Sequence, residues 1–205
     1  DVLLSDDVGA PEKPSKVDWR ECACGFYWTE GTRGLGWGQD CVPTIKGGSG
    51  IGIAAPPAIV LPDGRIVKPN IRDVERLQGF GSNWTLPVEK EFKPGLRWKL
   101  VGNAVSVNVL RWLGKRFRRP RRYDPTGDTP LRLRGKAWPR AAWNVDGQRM
   151  VAAVSAWPER RRAPGLASFL KSEPTLLSAR ATRGFLSRAT SDKCGLRFLP
   201  GFLDV

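Results

Sequence analysis

The stretch Val101-Gly-Asn-Ala-Val-Ser-Val-Asn-Val-Leu-Arg-Trp-Leu113 constrains this chain more than any other. Asn103 has the side chain of a helix N-cap, which accepts from backbone N–H groups one turn on. Val105, Val109, Trp112 and Leu113 then fall at i, i+4, i+7 and i+8, one face of a helix. Gly114 supplies the stop. A polar turn that opens an apolar-faced helix exposes backbone donors, and so suits a small ligand. Upstream, Asn70-Ile-Arg-Asp-Val-Glu-Arg-Leu-Gln-Gly-Phe80 reads as a second punctuated helix. Asn70 caps it, Asp73 sits near its positive end, Val74 and Leu77 face inward, and Gly79 ends it.

These two stretches carry a resemblance. Arg72-Asp73-Val-Glu-Arg76-Leu-Gln-Gly-Phe80, followed by Trp84, resembles the ninth conserved motif of the DNA (cytosine-5) methyltransferases. Gly102-Asn103-Ala104-Val105, with the helix behind it, resembles the tenth. Order, spacing and the intervening loop agree. One departure stands out: the family usually has Pro after Gln-Gly-Phe, and here Gly81 follows, which loosens the turn.

The resemblance extends upstream. Pro43-Thr44-Ile45-Lys46-Gly-Gly-Ser-Gly50 reads, from its residues alone, as a strand end and a turn. In the family such a step before a glycine-rich loop belongs to the target recognition domain, near the cytosine. Thr44, Ile45 and Lys46 are therefore carried over as DNA contacts. Arg72 and Arg76 read alone as surface charges. The resemblance implies a structural role instead: bonding carbonyls and carboxylates that hold the recognition domain to the catalytic domain, which suits the arginine fork.

Methylating cytosine C5 needs a thiolate that adds to C6, a carboxylic acid at N3 and a base taken out of the duplex. In the family the methyl donor, S-adenosylmethionine, is held by a glycine-rich loop. This chain has no Phe-x-Gly-x-Gly before a helix, no Cys after a Pro and no Glu-Asn-Val. It is expected to hold no catalytic residue and to be inactive alone. The implied fold is α/β, mixed α+β in this portion: the C-terminal part of a Rossmann-like methyltransferase with part of its recognition domain and a small accessory lobe. Asn103, Ala104 and Val105 are carried over as one wall of the S-adenosylmethionine pocket.

The implied partners are double-stranded DNA and the N-terminal catalytic part of the enzyme, joined in one chain or supplied as a separate subunit of a split methyltransferase. The implied setting is the cytoplasm of a bacterium or phage-infected cell, in a modification system. The competing class is a non-enzymatic DNA-binding protein that retains a methyltransferase scaffold. A weaker third is an RNA-binding module that stacks Trp and Arg on single strands.

Charge agrees with a polyanionic partner. Residues 1–110 hold 13 Lys+Arg and 13 Asp+Glu, whereas residues 111–205 hold 21 and 7, so the whole +14 lies in the second part. Within it, Arg116, Arg118 and Arg119 of the run Lys115–Tyr123 are the phosphate-contact candidates. The absence of His removes His bases, His triads and His metal ligands. Cys22, Cys24, Cys41 and Cys194 lack the spacing of a disulfide framework or a tetrahedral zinc site; free thiols and no bound metal are expected. No apolar run approaches the roughly eighteen residues of a membrane span, and no leader is visible, so no membrane partner is expected.

The rest of the chain divides by composition. Residues 1–20 read as an extended arm with a short helix near Val2–Leu4. Cys24–Trp28 reads as a strand, and Gly31–Gly38 either as an irregular glycine-rich loop held by Trp28 and Trp37 or as backbone that approaches DNA directly. Ile59–Val67 reads as a hairpin turning at Asp63-Gly64. The expected domains are 1–68 (arm and partial recognition domain), 69–114 (ninth and tenth motifs), 115–127 (basic linker) and 128–205. That last lobe is basic and Trp-rich, with Trp138, Trp143 and Trp157, closing with Ser178–Ala189 and Leu196–Leu203.

Overall fold

A computed structural model of the chain describes residues 18–28, 34–47, 57–120, 122–132, 138–154, 164–192 and 194–204. In chain order the first elements are β1 (Cys24–Trp28), β2 (Leu35–Gln39), β3 (Ala58–Val60), β4 (Ile66–Lys68), α1 (Ile71–Leu77), α2 (Gly95–Asn103) and α3 (Val107–Arg118). There follow β5 (Thr129–Pro130), β6 (Ala142–Val145), β7 (Gln148–Val151), α4 (Leu166–Phe169), β8 (Thr175–Leu176) and α5 (Ala179–Ala189). The chain is mixed α and β, and forms two compact units: Ser15–Asn108 with Ala163–Val205, and Asp1–Pro14 with Val109–Arg162. No helix among the described residues is long and apolar enough to cross a membrane. The short helix expected near Val2–Leu4, residues 29–33 and 48–50, and Trp157 lie outside the described residues.

The first unit is built on an antiparallel sheet of order β2-β1-β3-β4-β8. Strand alternation sends its side chains to two covered faces. Phe26 opposes Ala58, and Val60 opposes Ile66, all on one face. That face meets Phe185 and Ala189 of α5, together with Trp19 and Phe202. The Phe26 and Phe185 rings lie 4.4 Å apart, and Trp37 packs edge-on against Phe202. Ile59 opposes Val67 on the other face, where Ala23 and Leu166 close over them. Burial on both faces explains why Ala58-Ile59-Val60 is apolar without a break. Each large core side chain here contributes about 1.5–3 kcal/mol.

A third cluster joins Ile45, Val74 and Val101, and so fixes α1 and α2 to the segment after β2. The expected hairpin is present: the turn between β3 and β4 is closed by Leu61 N–H to the Arg65 carbonyl at 2.9 Å.

The second unit has a three-stranded antiparallel sheet of order β5-β7-β6, whose β6–β7 hairpin turns at Asp146-Gly147. Asp128 ties its edge together. Its carboxylate accepts from the Tyr123 hydroxyl (2.5 Å), Trp143 Nε1 (2.6 Å) and the Ala153 amide (2.8 Å). None of its described residues is buried.

Several expectations are corrected here. Asn103 is the last residue of α2, not the cap of the following helix. The helical stretch Gly95–Asn103 was not foreseen; Pro94 leads into it, and Val101 and Arg97 bury its inner side. Gly114 lies inside α3, which runs on to Arg118, so the basic run begins on a helix rather than in a linker. Leu35–Gln39 of the glycine-rich stretch is strand, paired along its length with β1. Residues 128–205 do not form one lobe. β8 pairs with β4, and α5 and Phe202 fill the aromatic core, so Ala163–Val205 belongs to the first unit.

Candidate functional site

The site candidates lie where three segments meet in the first unit: the end of α1, the turn after α2, and Thr44–Gly47. Asn70 caps α1 by accepting from the Arg72 amide at 3.1 Å. Asp73, fully buried, accepts from the amides of Lys171 and Ser172 and from Arg76 Nη1 at 2.5 Å. Arg76 also donates to the Phe169 carbonyl at 2.9 Å and lies over the Phe169 ring. Arg72 stays exposed and donates to Asn83 Oδ1 at 3.1 Å. The two arginines therefore differ: Arg76 clamps the 169–172 segment, and Arg72 fastens only the start of the next loop.

Gly79 closes α1 at φ +89°, a left-handed conformation that a side chain strains. That geometry brings Gln78 onto the tenth-motif turn. Gln78 Nε2 donates to the Val101 carbonyl (3.1 Å) and the Ala104 carbonyl (3.4 Å), and the Val107 amide donates back to the Gln78 carbonyl (2.8 Å). On the other side of the turn, Gly102 is pressed onto the Lys46–Gly47 backbone: a methyl group at Gly102 overlaps the Lys46 carbonyl and Gly47 nitrogen. A methyl group at Gly47 meets Asn103 Oδ1 in the same way. Two glycines thus let two backbones touch, and Gln78 grips the turn from behind.

Beneath this joint lies a buried ion pair. Arg97 Nη2 meets Glu75 Oε1 at 3.1 Å, with side-chain exposures of 5% and 0%. Thr85 donates its amide (2.8 Å) and hydroxyl (2.5 Å) to the same oxygen, and Glu89 takes the other end of Arg97 at 2.8 Å. Burial pushes the Glu75 carboxyl up, but the hydrogen bonds from Thr85 and Arg97 outweigh it and hold it below its usual range. The sequence reading assigned nothing to Glu75, Thr85, Gln78 or Arg97. Glu75 and Gln78 stand inside the quoted motif; Thr85 and Arg97 lie too far along the chain for any local spacing to link them to Glu75.

The expected contact residues separate on inspection. Thr44 is exposed, and Lys46 Nζ lies 4.1 Å from the centre of the Tyr27 ring. Ile45 is buried against Val74 and Val101, so its side chain serves the core and, unlike Thr44 and Lys46, leaves only its backbone to offer a partner. At the turn, Asn103 and Val105 are exposed, Val105 by 57%. The Ala104 amide is spent on the Val101 carbonyl. Of the second unit's candidates, Arg118 and Arg119 are exposed on and just after α3, whereas the Arg116 guanidinium lies over the Trp112 ring at 5.4 Å.

Two of the thiols, Cys24 and Cys41, are shifted away from activation. Burial, with Cys22 beside it, pushes the Cys24 thiol up to about 12, and burial followed by the Asp40 charge raises Cys41. Among the described residues no cluster of His, Cys, Asp or Glu is placed to hold a metal ion.

No protein-family model matches the chain, and no solved structure matches it. Among curated proteins it is similar to the Type II methyltransferase M2.BsuMI of Bacillus subtilis (strain 168), with 45% identity over 196 residues. The match covers 92% of this chain and 50% of the relative, so the chain spans about half the length of the curated relative it matches. The remaining 8% of this chain is too short to hold Val109–Arg162, so much of the basic unit is shared with that relative.

Proposed function

The chain is a homologue of about half of a type II methyltransferase, and from that kinship we propose that it is the C-terminal part or small subunit of a DNA (cytosine-5) methyltransferase. The enzyme it completes transfers a methyl group from S-adenosylmethionine to C5 of a cytosine flipped from duplex DNA. The observation that carries this reading is the joint around Gln78 and Gly102. The residues that resemble the ninth and tenth motifs are hydrogen-bonded to each other, and the tenth-motif turn packs closely on Lys46–Gly47, in the stretch that resembles the recognition segment.

The division of labour follows from what the residues offer. Asn103 presents an amide, and Val105 an apolar surface, on an exposed turn. That donor set fits one edge of an adenosyl group; Ala104, its amide already used, adds only its methyl. Two contacts are too few to hold a ligand against the entropy of association, so the other walls come from the catalytic partner. S-adenosylmethionine supplies the methyl group. This chain's own residues hold the turn rigid: Gln78 from one side, Lys46–Gly47 from the other. Thr44 and Lys46 face the DNA. Arg76 keeps the frame by clamping the 169–172 segment, and Arg72 fastens the loop before Thr85.

The test is methyl transfer to cytosine C5 from labelled S-adenosylmethionine, with and without the catalytic half. Activity is expected only with both. C5 labelling by this chain alone overturns the division of labour; labelling of adenine or of cytosine N4 by the pair overturns the C5 assignment.

A further inference from the structure

Helix α3 carries two stripes. Val109, Leu113 and Phe117 recur at i, i+4 and i+8, with Leu110 beside them. Arg111, Lys115 and Arg118 recur at i, i+4 and i+7 on the opposite side, with Arg119 following the last turn. All four cations are exposed. None of the helix's twelve residues is buried, so burial does not dictate this arrangement.

The cationic stripe is unusual for a helix that only has to fold. Like charges at i, i+3 and i, i+4 repel, and residues 92–123 hold ten Lys+Arg and no Asp or Glu. The helix dipole accounts for cations in the last turn, as at Lys115 and Arg118, but not for Arg111 in the second turn. Residues 109–162 hold 15 Lys+Arg against 4 Asp+Glu, so most of the chain's excess positive charge surrounds this helix in sequence. A row of cations rising about 1.5 Å per residue along one side of a rod matches a linear array of fixed negative charge.

We propose that the Arg111–Lys115–Arg118 stripe of α3, extended by Arg119, lies along the phosphate backbone of duplex DNA. It adds Arg111 and Lys115 to the DNA surface; Arg116, half-buried with its guanidinium over the Trp112 ring, lies outside the row. This rests on the DNA-methyltransferase reading and names the surface by which that enzyme holds its duplex.

The test is salt-dependent binding of the full chain to a short duplex of arbitrary sequence. Three proteins are compared: wild type, the triple variant Arg111→Gln, Lys115→Gln, Arg118→Gln, and a control of equal charge loss, Arg180→Gln, Arg183→Gln, Arg197→Gln, on exposed positions of the first unit. Each lost phosphate contact lowers the log–log salt slope by about 0.9. The stripe variant is expected to lose about 2.7 from the slope, so between about 50 and about 200 mM salt wild-type affinity falls some 40-fold further than the variant's. The control keeps the wild-type slope to within about 0.9, and circular dichroism shows both variants folded. Equal losses in the two variants overturn the stripe while DNA binding stands. A wild-type chain that ignores duplex DNA, or prefers single-stranded RNA, overturns the DNA reading together with the stripe. A stripe variant that unfolds is replaced by Arg111→Lys, Arg118→Lys, which is expected to keep the slope; loss of slope there, with charge retained, also overturns the proposal.

Discussion

The two units solve the problem of a long basic chain in opposite ways. The first, Ser15–Asn108 with Ala163–Val205, covers both faces of its sheet and neutralises its buried charges internally, Glu75 with Arg97 and Asp73 with Arg76. The second has no buried residue among those described and leaves exposed Val109, Leu110 and Phe117 on one helix with a row of cations. The first unit thus has a core of its own, although Trp84, Phe92, Val105 and Leu176 stay exposed on it. The second has no such core among its described residues, and α3 shows an exposed apolar row beside an exposed cationic one. The lesson is that burial is concentrated in one unit and excess charge in the other, and single substitutions distinguish them.

The sharpest break is expected at the buried pair. Arg97→Ala leaves Glu75 charged and without its main cation, and costs about 3–5 kcal/mol of chain stability. Replacing both partners with Glu75→Leu and Arg97→Met costs far less, because no uncompensated charge remains. Denaturant melts of the single and double variants check this; equal losses in both contradict the pairing.

Next in size is the backbone joint. Gly102→Ala forces the turn off Lys46–Gly47 and is expected to cost about 1–3 kcal/mol, as other overpacked sites do. In the assembled enzyme it raises the KM for DNA and the Kd for S-adenosylmethionine together, because one turn touches both segments. A change in only one of the two separates the segments and dissolves the joint.

The effect of pH is smaller and has a fixed sign. Glu75 is held below its ordinary value of 4.5 in the folded chain, so its contribution is fully present above about pH 4.5. It is lost as pH falls from there through the depressed folded value. Acid unfolding followed by tryptophan fluorescence should begin in that window, and Glu75→Gln should flatten it. Loss of stability on raising the pH through neutrality in the wild type, absent from Glu75→Gln, contradicts the sign.

The smallest effect tests the other unit. Phe117→Ala is expected to change chain stability by no more than about 0.5 kcal/mol, since the ring is 70% exposed. A large stability loss in the chain alone brings α3 into the folded core and breaks the contrast between the units.

Much of this molecule is legible in its sequence because local physics fixes it. Asn70 can cap only a helix that starts where α1 does, and Asp63-Gly64 between apolar runs turns a hairpin. The missing thiol, acid and glycine-rich loop are absences in the sequence itself, and the lopsided charge is a count. The turn at Asn103 misled because a short polar side chain suits either end of a helix. What decides is whether the preceding residues are held helical, and α2 is held by Arg97 reaching Glu75 and Val101 reaching Val74. Likewise, nothing local tells that residues 164–204 return to close the first unit: β8 finds β4, and Phe185 finds Phe26, across more than a hundred residues. Capping, turn chemistry and charge belong to a few consecutive residues and are written in order. Ion pairs, sheet order and the touching of Gly102 with Lys46–Gly47 depend on which distant surfaces bury each other best, and only the folded chain decides that.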